Sequence, residues 1–232
     1  MSTDLRPLLA IDTATRRSSV ALDDGRGVHS RSVDRDAGDL LDLIDGLLEQ
    51  AALDRRSLAA IAVGTGPGSF TGLRVGLATA KTLAHALGIP LLGVPTVEAL
   101  ARAANGAAPG EMMLVLLAAG SRDHYLARVR NAGTEARLAG PVELLAPGLA
   151  LTRVLGEGTP LTVEVPSAPL GAEAAHRGLA ALDGLAQALL ALGHERLEAG
   201  QRSDPATLVP EYVALPRGIA VTAGERWSPD LR

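Results

Sequence analysis

This sequence of 232 residues is poor in several residue types. It contains no cysteine, which excludes disulfide bonds and thiolate metal ligands. Only 2% of its residues are aromatic, so leucine, valine and alanine must build the core. Hydrophobic residues make up 47% and charged residues 21%, proportions that indicate a globular rather than a disordered protein.

Long apolar runs and a basic charge balance are also missing. No uncharged run is both long and free of glycine and proline, and the N-terminus lacks a basic start followed by an apolar stretch. We therefore expect a soluble, cytoplasmic protein that does not contact a membrane. The net charge of −4 disfavours a stand-alone nucleic-acid-binding protein, which normally carries a basic surface.

The order of predicted strands and helices indicates an α/β fold. Residues 8–12 form a buried strand, and two more strands flank a turn at Asp24-Gly25. Helices then alternate with strands as far as residue 104, and the first of these helices begins near Leu40 with Asp39 placed to cap it. Such alternation predicts a layered fold with parallel strands.

A weaker copy of this pattern follows the segment NGAAPG at 105–110, whose glycines and proline mark a boundary. The predicted elements of this copy are strands at 112–120, 125–130 and 161–165, a helix around 147–156 and a long helix from about 172 to 199. The sequence therefore predicts an N-terminal domain of residues 1–104, a C-terminal domain of residues 105–216 and a flexible tail of residues 217–232.

The stretch VGTGPGSFTGLRVG, residues 63–76, combines five glycines with the phenylalanine that occurs once in the chain. It lies between a predicted strand and a predicted helix, where the main chain often approaches a phosphate. The stretch does not fit a P-loop, because no Gly-Lys-Ser/Thr follows at the required spacing. It does not fit the G-x-G-x-x-G dinucleotide pattern either, because the third glycine is missing.

The helix after this stretch carries small residues four positions apart. They are Gly72, Gly76, Ala80 and Ala84. A ridge of small side chains lets another backbone come close, so the ridge either packs inside its own domain or docks a helix of a partner protein. The spacing alone leaves both interpretations open.

Three segments together resemble a known family. They are LLAIDTATRRSSVAL at 8–22, AIAVGTGPGSFTGLRVGLATAKTLAHALGIPLLGVPTVEALA at 60–101 and VPEYV at 209–213. The sequence resembles the TsaB (YeaZ) family, the bacterial partner subunit of the machinery that makes threonylcarbamoyladenosine in tRNA. The motif GPGSFTGLRVG is highly specific, and the resemblance covers residues 8–104.

The resemblance implies an actin/Hsp70-like (ASKHA) fold of two ribonuclease-H-like subdomains, the second one reduced. Family members form a heterodimer with TsaD, which modifies the adenosine next to the anticodon of tRNA, and the ATPase TsaE joins them. The implied function is a non-catalytic scaffold that binds and activates TsaD and reaches tRNA only through the complex. We also expect a homodimer when the chain is alone, because an exposed apolar helical face will associate with itself if its partner is missing. A different hypothesis is an actin-like ATP-dependent kinase or ATPase that acts on a small molecule.

The resemblance places the contact with TsaD on helices of the N-terminal domain. The residues expected at this partner interface are Phe70, Gly72, Leu73, Arg74, Gly76, Leu77, Ala80 and Ala84. Arg74 lies in the first turn of a helix, where the helix dipole favours acidic rather than basic side chains, so we expect it to form an ion pair or a partner contact.

Actin-like ATPases place a metal-associated aspartate and a phosphate-contacting turn at the end of the first strand. This chain has Asp12 and Thr13 there, which makes them candidate nucleotide contacts together with Gly66, Gly68 and Ser69. In the alternative interpretation Asp12 only caps the turn and Ser69 only caps the helix. We expect no intrinsic cofactor, although ATP or ADP could bind at the partner interface.

No catalytic or metal-binding residue is predicted. The five histidines lack the paired spacing of a metal motif, which the catalytic TsaD relatives carry, and this favours the scaffold. The chain also departs from the family pattern twice. Residues 37–39 read Ala-Gly-Asp where many members have a His-Ser or His-Thr pair, and residues 120–122 read Gly-Ser-Arg where many have Asp-Ala-Arg.

Overall fold

The computed structural model describes residues 5–35, 39–104, 110–120, 122–132, 135–146, 157–166 and 169–213. The first sheet contains β1 (Leu8–Asp12), β2 (Arg17–Asp23), β3 (Val28–Asp34), β4 (Ala60–Gly64) and β5 (Leu91–Val94). The second contains β6 (Met112–Ala119), β7 (Asp123–Ala132), β8 (Glu135–Leu138), β9 (Glu143–Leu145) and β10 (Thr159–Val163). The α-helices are α1 (Leu40–Gln50), α2 (Phe70–Leu87), α3 (Thr96–Ala103) and α4 (Ala172–Glu198).

The first sheet has the strand order β3-β2-β1-β4-β5. Its first three strands are antiparallel neighbours in sequence, and β4 and β5 run parallel to β1. Asp24 stabilises the turn between β2 and β3, because its Oδ1 accepts hydrogen bonds from the amides of Arg26 and Gly27, both at 2.7 Å. The predicted hairpin and the parallel strands that follow it are confirmed.

The central strand β1 is buried on both faces, which explains its continuous apolar sequence. Leu9 and Ile11 point to the side covered by α1 and α2, and they belong to the core on that side. Leu8 and Ala10 point to the opposite side and join the core that includes α3 and α4. The sheet therefore has one helical layer on each face.

The second sheet repeats the first in a smaller form. Its order is β10-β6-β7-β8, with β9 also paired to β7, and β6 and β10 are parallel while β6, β7 and β8 are antiparallel. Within the described residues it has no counterpart of β5. Two ribonuclease-H-like units, the second reduced, make up an actin/Hsp70-like fold, as the resemblance implies.

Helix α4 joins the two halves. It packs against β1 of the first sheet, against β10 of the second and along α3. A buried ion pair holds it in place, since Arg196 on α4 donates from Nη2 to Oε2 of Glu98 on α3 at 2.6 Å. The long helix predicted at 172–199 is thus confirmed. The boundary predicted at residue 105 stays a prediction.

Residues 203–213 run back across the first half, and we call this segment the C-terminal strap. The amide of Ser203 donates to the carbonyl of Leu91 at 2.8 Å, so the strap covers the edge strand β5. Farther along, the amide of Glu211 donates to the carbonyl of Thr65 at 2.8 Å. The strap therefore passes from the sheet edge to the end of β4.

Local sequence signals locate most helix and strand ends. Asp39 caps α1 by accepting from the amide of Leu41 at 2.8 Å, as predicted. Helix α2 begins at Phe70, because Ser69 caps it. Strands β8 and β9 were not predicted, since each is four residues long or shorter.

Several predictions fall on parts of the chain outside the described residues. These are the boundary at 105–109, the helix around 147–156, the tail at 217–232, and the family departures at Ala37, Gly38 and Ser121. Among the helices that the structure does describe, none is long and apolar enough to span a bilayer.

Candidate functional site

The turn between β1 and β2 is organised around Asp12. Its Oδ1 accepts from the amide of Ala14 at 2.9 Å, and its Oδ2 accepts from the hydroxyl of Thr96 at 2.7 Å. The side chain is completely buried. Both carboxylate oxygens are therefore engaged by the chain itself.

Burial raises the pKa of Asp12 to about 6, because removal from water disfavours its charged form. The hydrogen bonds from Thr96 and Ala14 and the charge of Arg35 act in the opposite direction, and they are outweighed. A fully buried carboxyl whose two oxygens already have donors does not fit the metal-associated aspartate of an actin-like ATPase.

Residues 64–68, which we call the glycine loop, pack directly on this turn. A Cβ added at Gly64 would lie 1.8 Å from Oδ2 of Asp12, and one at Gly68 would lie 2.2 Å from the carbonyl oxygen of Ala14. The amide of Ser69 donates to that same carbonyl at 2.7 Å. Gly64 and Gly68 are thus required because two segments of the same chain approach each other closely. Their position between a strand and a helix was equally consistent with a phosphate-binding loop.

The ridge of small residues on α2 faces the interior. A Cβ at Gly72 would lie 2.0 Å from the carbonyl oxygen of Thr13, and one at Gly76 would lie 2.2 Å from the Thr13 hydroxyl oxygen. That hydroxyl donates to the carbonyl of Gly72 at 2.7 Å. The other inward residues, all buried, are Leu73, Leu77, Ala80 and Ala84. Of the two interpretations of the ridge, the structure shows the internal one.

The outer face of α2 consists of Thr71, Arg74, Val75, Ala78, Thr82, His85 and Ala86, all exposed. Val75 is 46% exposed, and Leu41 on the neighbouring α1 is 51% exposed. Both helices cover the same side of the first sheet, with α1 over β2 and β3 and α2 over β1, β4 and β5. Two helices side by side therefore present apolar side chains outward.

Three side chains form a cluster at the start of this outer face. The guanidinium carbon of Arg74 lies 3.8 Å from the centre of the Phe70 ring, a cation–π contact. The Phe70 and Tyr212 rings pack with centroids 5.3 Å apart, and Nε of Arg74 donates to the Tyr212 hydroxyl at 3.1 Å. Phe70 and Arg74 were predicted at the partner interface, whereas Tyr212 was not, although it belongs to the segment VPEYV.

The two halves also meet at the β1–β2 turn. Glu164, which directly follows β10, accepts from the amide of Arg16 through Oε1 at 2.7 Å. Its backbone φ of 57° lies in a region that residues other than glycine rarely adopt. Burial raises the pKa of Glu164, although the hydrogen bond and three nearby arginines oppose this. No local sequence pattern marks Glu164, because its partner lies 148 residues away.

Ser69, another of the candidate nucleotide contacts, is hydrogen-bonded within the chain. Nη1 of Arg35 donates to Oγ of Ser69 at 2.6 Å, and this hydroxyl accepts in turn from the amide of Gly72 at 3.3 Å. Gly120, where many family members have Asp, follows β6 with a φ of 72°. Among the described residues no group of three or more His, Asp or Glu side chains could hold a metal ion.

The chain is similar to several known proteins. A family model described as TsaD, tRNA N6-adenosine threonylcarbamoyltransferase, matches residues 14–182. TsaB of Escherichia coli, named as a tRNA threonylcarbamoyladenosine biosynthesis protein, is 39% identical over 106 residues, which are 43% of this chain and 46% of that protein. The chain belongs to the TsaB (YeaZ) family.

Two further relatives extend the similarity to most of the chain. An uncharacterized protein of Mycobacterium tuberculosis is 38% identical over 157 residues, which cover 62% of this chain and 69% of that protein. The structure of YeaZ from Pseudomonas aeruginosa superposes with a TM-score of 0.69 at 26% identity and covers 88% of this chain and 98% of that one. The TsaB (YeaZ) resemblance of residues 8–104 is confirmed, and the fold extends through the second half.

We predict that Gly68→Ala destabilises this TsaB-family protein strongly. The new methyl group would meet the main chain of Ala14, which cannot rotate away as a side chain can. We expect a loss of about 2 kcal/mol or more in the free energy of unfolding, measured by urea denaturation. Gly27→Ala is the control, because nothing lies within 4 Å of its added Cβ. Equal stabilities of the two variants would contradict the packing role of the glycine loop.

We also predict that Asp12 makes stability fall as the pH rises. A carboxyl with a raised pKa binds its proton more tightly in the folded state, so its contribution is complete at low pH and is lost as the pH rises through about 6. Between pH 4 and pH 7 the free energy of unfolding should fall by on the order of 2–3 kcal/mol more than that of Asp12→Asn, whose side chain at this position does not titrate. The free energy of unfolding is measured by urea denaturation at each pH. If it changes with pH equally in the two proteins, Asp12 is not desolvated.

Proposed function

We propose that this chain is a non-catalytic scaffold subunit that binds and activates a TsaD-type transferase, which forms threonylcarbamoyladenosine next to the anticodon of tRNA. The observation that carries the proposal is the outward face of α1 and α2. It exposes Leu41 and Val75, two large apolar side chains on adjacent helices. Large apolar side chains exposed on the same side of a protein favour that side as an interface.

The charges of the two helices support docking of a helical partner. Helix α2 carries Arg74, Lys81 and His85 and no acidic residue, whereas α1 carries Asp42, Asp45 and Glu49 and no basic residue. Neighbouring helices of opposite charge favour a partner with the reverse arrangement and so fix its orientation. A second copy of the chain can also offer an acidic helix to α2 and a basic helix to α1, which supports a homodimer when the partner is missing.

The interior of the chain supports a non-catalytic role. Both carboxylate oxygens of Asp12 accept hydrogen bonds from the chain, and Glu164 from the second half accepts a hydrogen bond from the amide of Arg16 in the same turn. A kinase or ATPase of this fold would need that turn for phosphate groups. These contacts disfavour the kinase or ATPase alternative.

The proposed interface refines the set of residues taken from the sequence. Phe70 and Arg74 contact the partner directly. The inward residues act indirectly, because they seat α2 on the sheet; they are Gly72, Leu73, Gly76, Leu77, Ala80 and Ala84. We further propose that a TsaE-type ATPase joins the complex, that ATP or ADP binds at the boundary with the partner, that tRNA is reached only through the complex, and that the protein acts in the cytoplasm.

We predict that Val75→Asp weakens binding to the TsaD-type subunit of the same genome by at least about 10-fold, because a charge would enter the centre of an apolar contact. Affinity is measured by calorimetry, and stoichiometry by light scattering after gel filtration. Leu179→Asp is the matched control. Leu179 is 58% exposed on α4, which packs on the other side of the first sheet.

The control variant should bind like the unmodified protein. If Val75→Asp also binds normally while both variants remain folded, the outer face of α2 is not the docking surface. If the unmodified protein itself forms no complex, the assignment of the partner is wrong.

A further inference from the structure

Arg74 is held more firmly than an exposed arginine usually is. Its guanidinium carbon lies 3.8 Å from the centre of the Phe70 ring, and its Nε donates a hydrogen bond to the Tyr212 hydroxyl. Long basic side chains on a surface normally sample many rotamers and lose that freedom when they bind. The two aromatic contacts remove much of this freedom before any partner arrives.

The remaining donors of Arg74 point to an acidic ligand. Only Nε is used within the described part of the chain, and no described carboxylate pairs with this side chain. The two terminal nitrogens remain, and they form the fork that matches a carboxylate in a bidentate contact. No acid lies on α2 that could supply the carboxylate from the same helix.

We propose that Arg74 is the specificity-determining residue of this surface and receives a carboxylate of the partner protein through both terminal nitrogens, with Tyr212 as its positioning residue. This rests on the proposed function, in which the outer face of α2 binds a transferase subunit. The surface is then composite, because it combines α2 with the C-terminal strap, and Arg74 and Tyr212 are 138 residues apart in sequence.

The strap can position Tyr212 because it is anchored at several points before it reaches α2. Ser203 is bonded to the edge strand β5, and Leu208 packs with the core beneath α1 and α2. The amide of Glu211, next to Tyr212, is bonded to the carbonyl of Thr65 in the glycine loop. Tyr212 is therefore fixed relative to the start of α2, and the orientation of Arg74 follows from this.

A protein carboxylate fits this site better than an RNA phosphate. The neighbours of Arg74 are the apolar Val75 and the rings of Phe70 and Tyr212, whereas RNA-binding surfaces place several cations along the backbone path. The chain as a whole has a net charge of −4, which repels a polyanion. Hot spots of protein interfaces, by contrast, are enriched in arginine and aromatic residues of this kind.

Four variants test the proposal against the unmodified chain with the TsaD-type subunit, at low and at high salt. Arg74→Gln should weaken binding by at least about 30-fold and make the affinity less dependent on salt, because a charge pair is lost.

Arg74→Lys keeps the charge but loses the planar pair of terminal nitrogens and the ring contact, so we expect the affinity to fall by about 10-fold. Tyr212→Phe removes only one hydroxyl and should cost about 3-fold. Arg26→Gln, an exposed arginine on the β2–β3 turn, is the control for net charge and should bind normally.

The outcomes separate this inference from the proposed function. If Val75→Asp abolishes binding while Arg74→Gln or Arg74→Lys binds like the unmodified chain, the docking surface stands and the role of Arg74 is wrong. If Tyr212→Phe keeps both the affinity and the salt dependence, Tyr212 does not position Arg74. If the Arg74 variants weaken tRNA binding by the complex without changing the protein–protein affinity, the ligand is a phosphate and the proposal is overturned. Thermal unfolding of each variant shows that the loss does not come from misfolding.

Discussion

The close packing of the glycine loop on the β1–β2 turn determines the geometry of the first half. Gly64 and Gly68 have no room for a side chain, because Asp12 and Ala14 occupy the space where a Cβ would lie. The same contact fixes the start of α2, since Ser69 bonds to Ala14 and then caps the helix. The direction of α2, and with it the choice of residues that face outward, depends on this contact.

This arrangement explains how an actin-like fold can act through its surface. In the turn where such a fold handles phosphates, Asp12 is buried and bonded, and Glu164 reaches across from the second half. The small residues of α2 are buried in the same packing, and Arg74 and Val75 on the opposite face of the helix are exposed to solvent. Function is then expected on the outer face of α2, where Arg74 and Val75 are exposed, rather than at the turn.

Local patterns predicted the fold well, whereas contacts between distant residues could not be predicted. Apolar periodicity, the Asp24-Gly25 turn and the caps at Asp39 and Ser69 are signals within a few residues, and the structure confirms them. The ridge of α2 showed that something approaches closely, but spacing cannot say whether the neighbour is the same chain or another. Tyr212 and Glu164 act over more than a hundred residues, and no periodicity marks them.

The most direct test of this account is amide hydrogen exchange of the chain alone and mixed with the TsaD-type subunit. If the outer surface is the docking site, protection should increase in α1, in α2 and at residues 208–213 of the strap. Exchange in the β1–β2 turn and in α4 should stay unchanged. New protection confined to that turn or to α4, with α2 unaffected, would show that the partner binds at the turn or on the opposite side of the first sheet and would contradict the account.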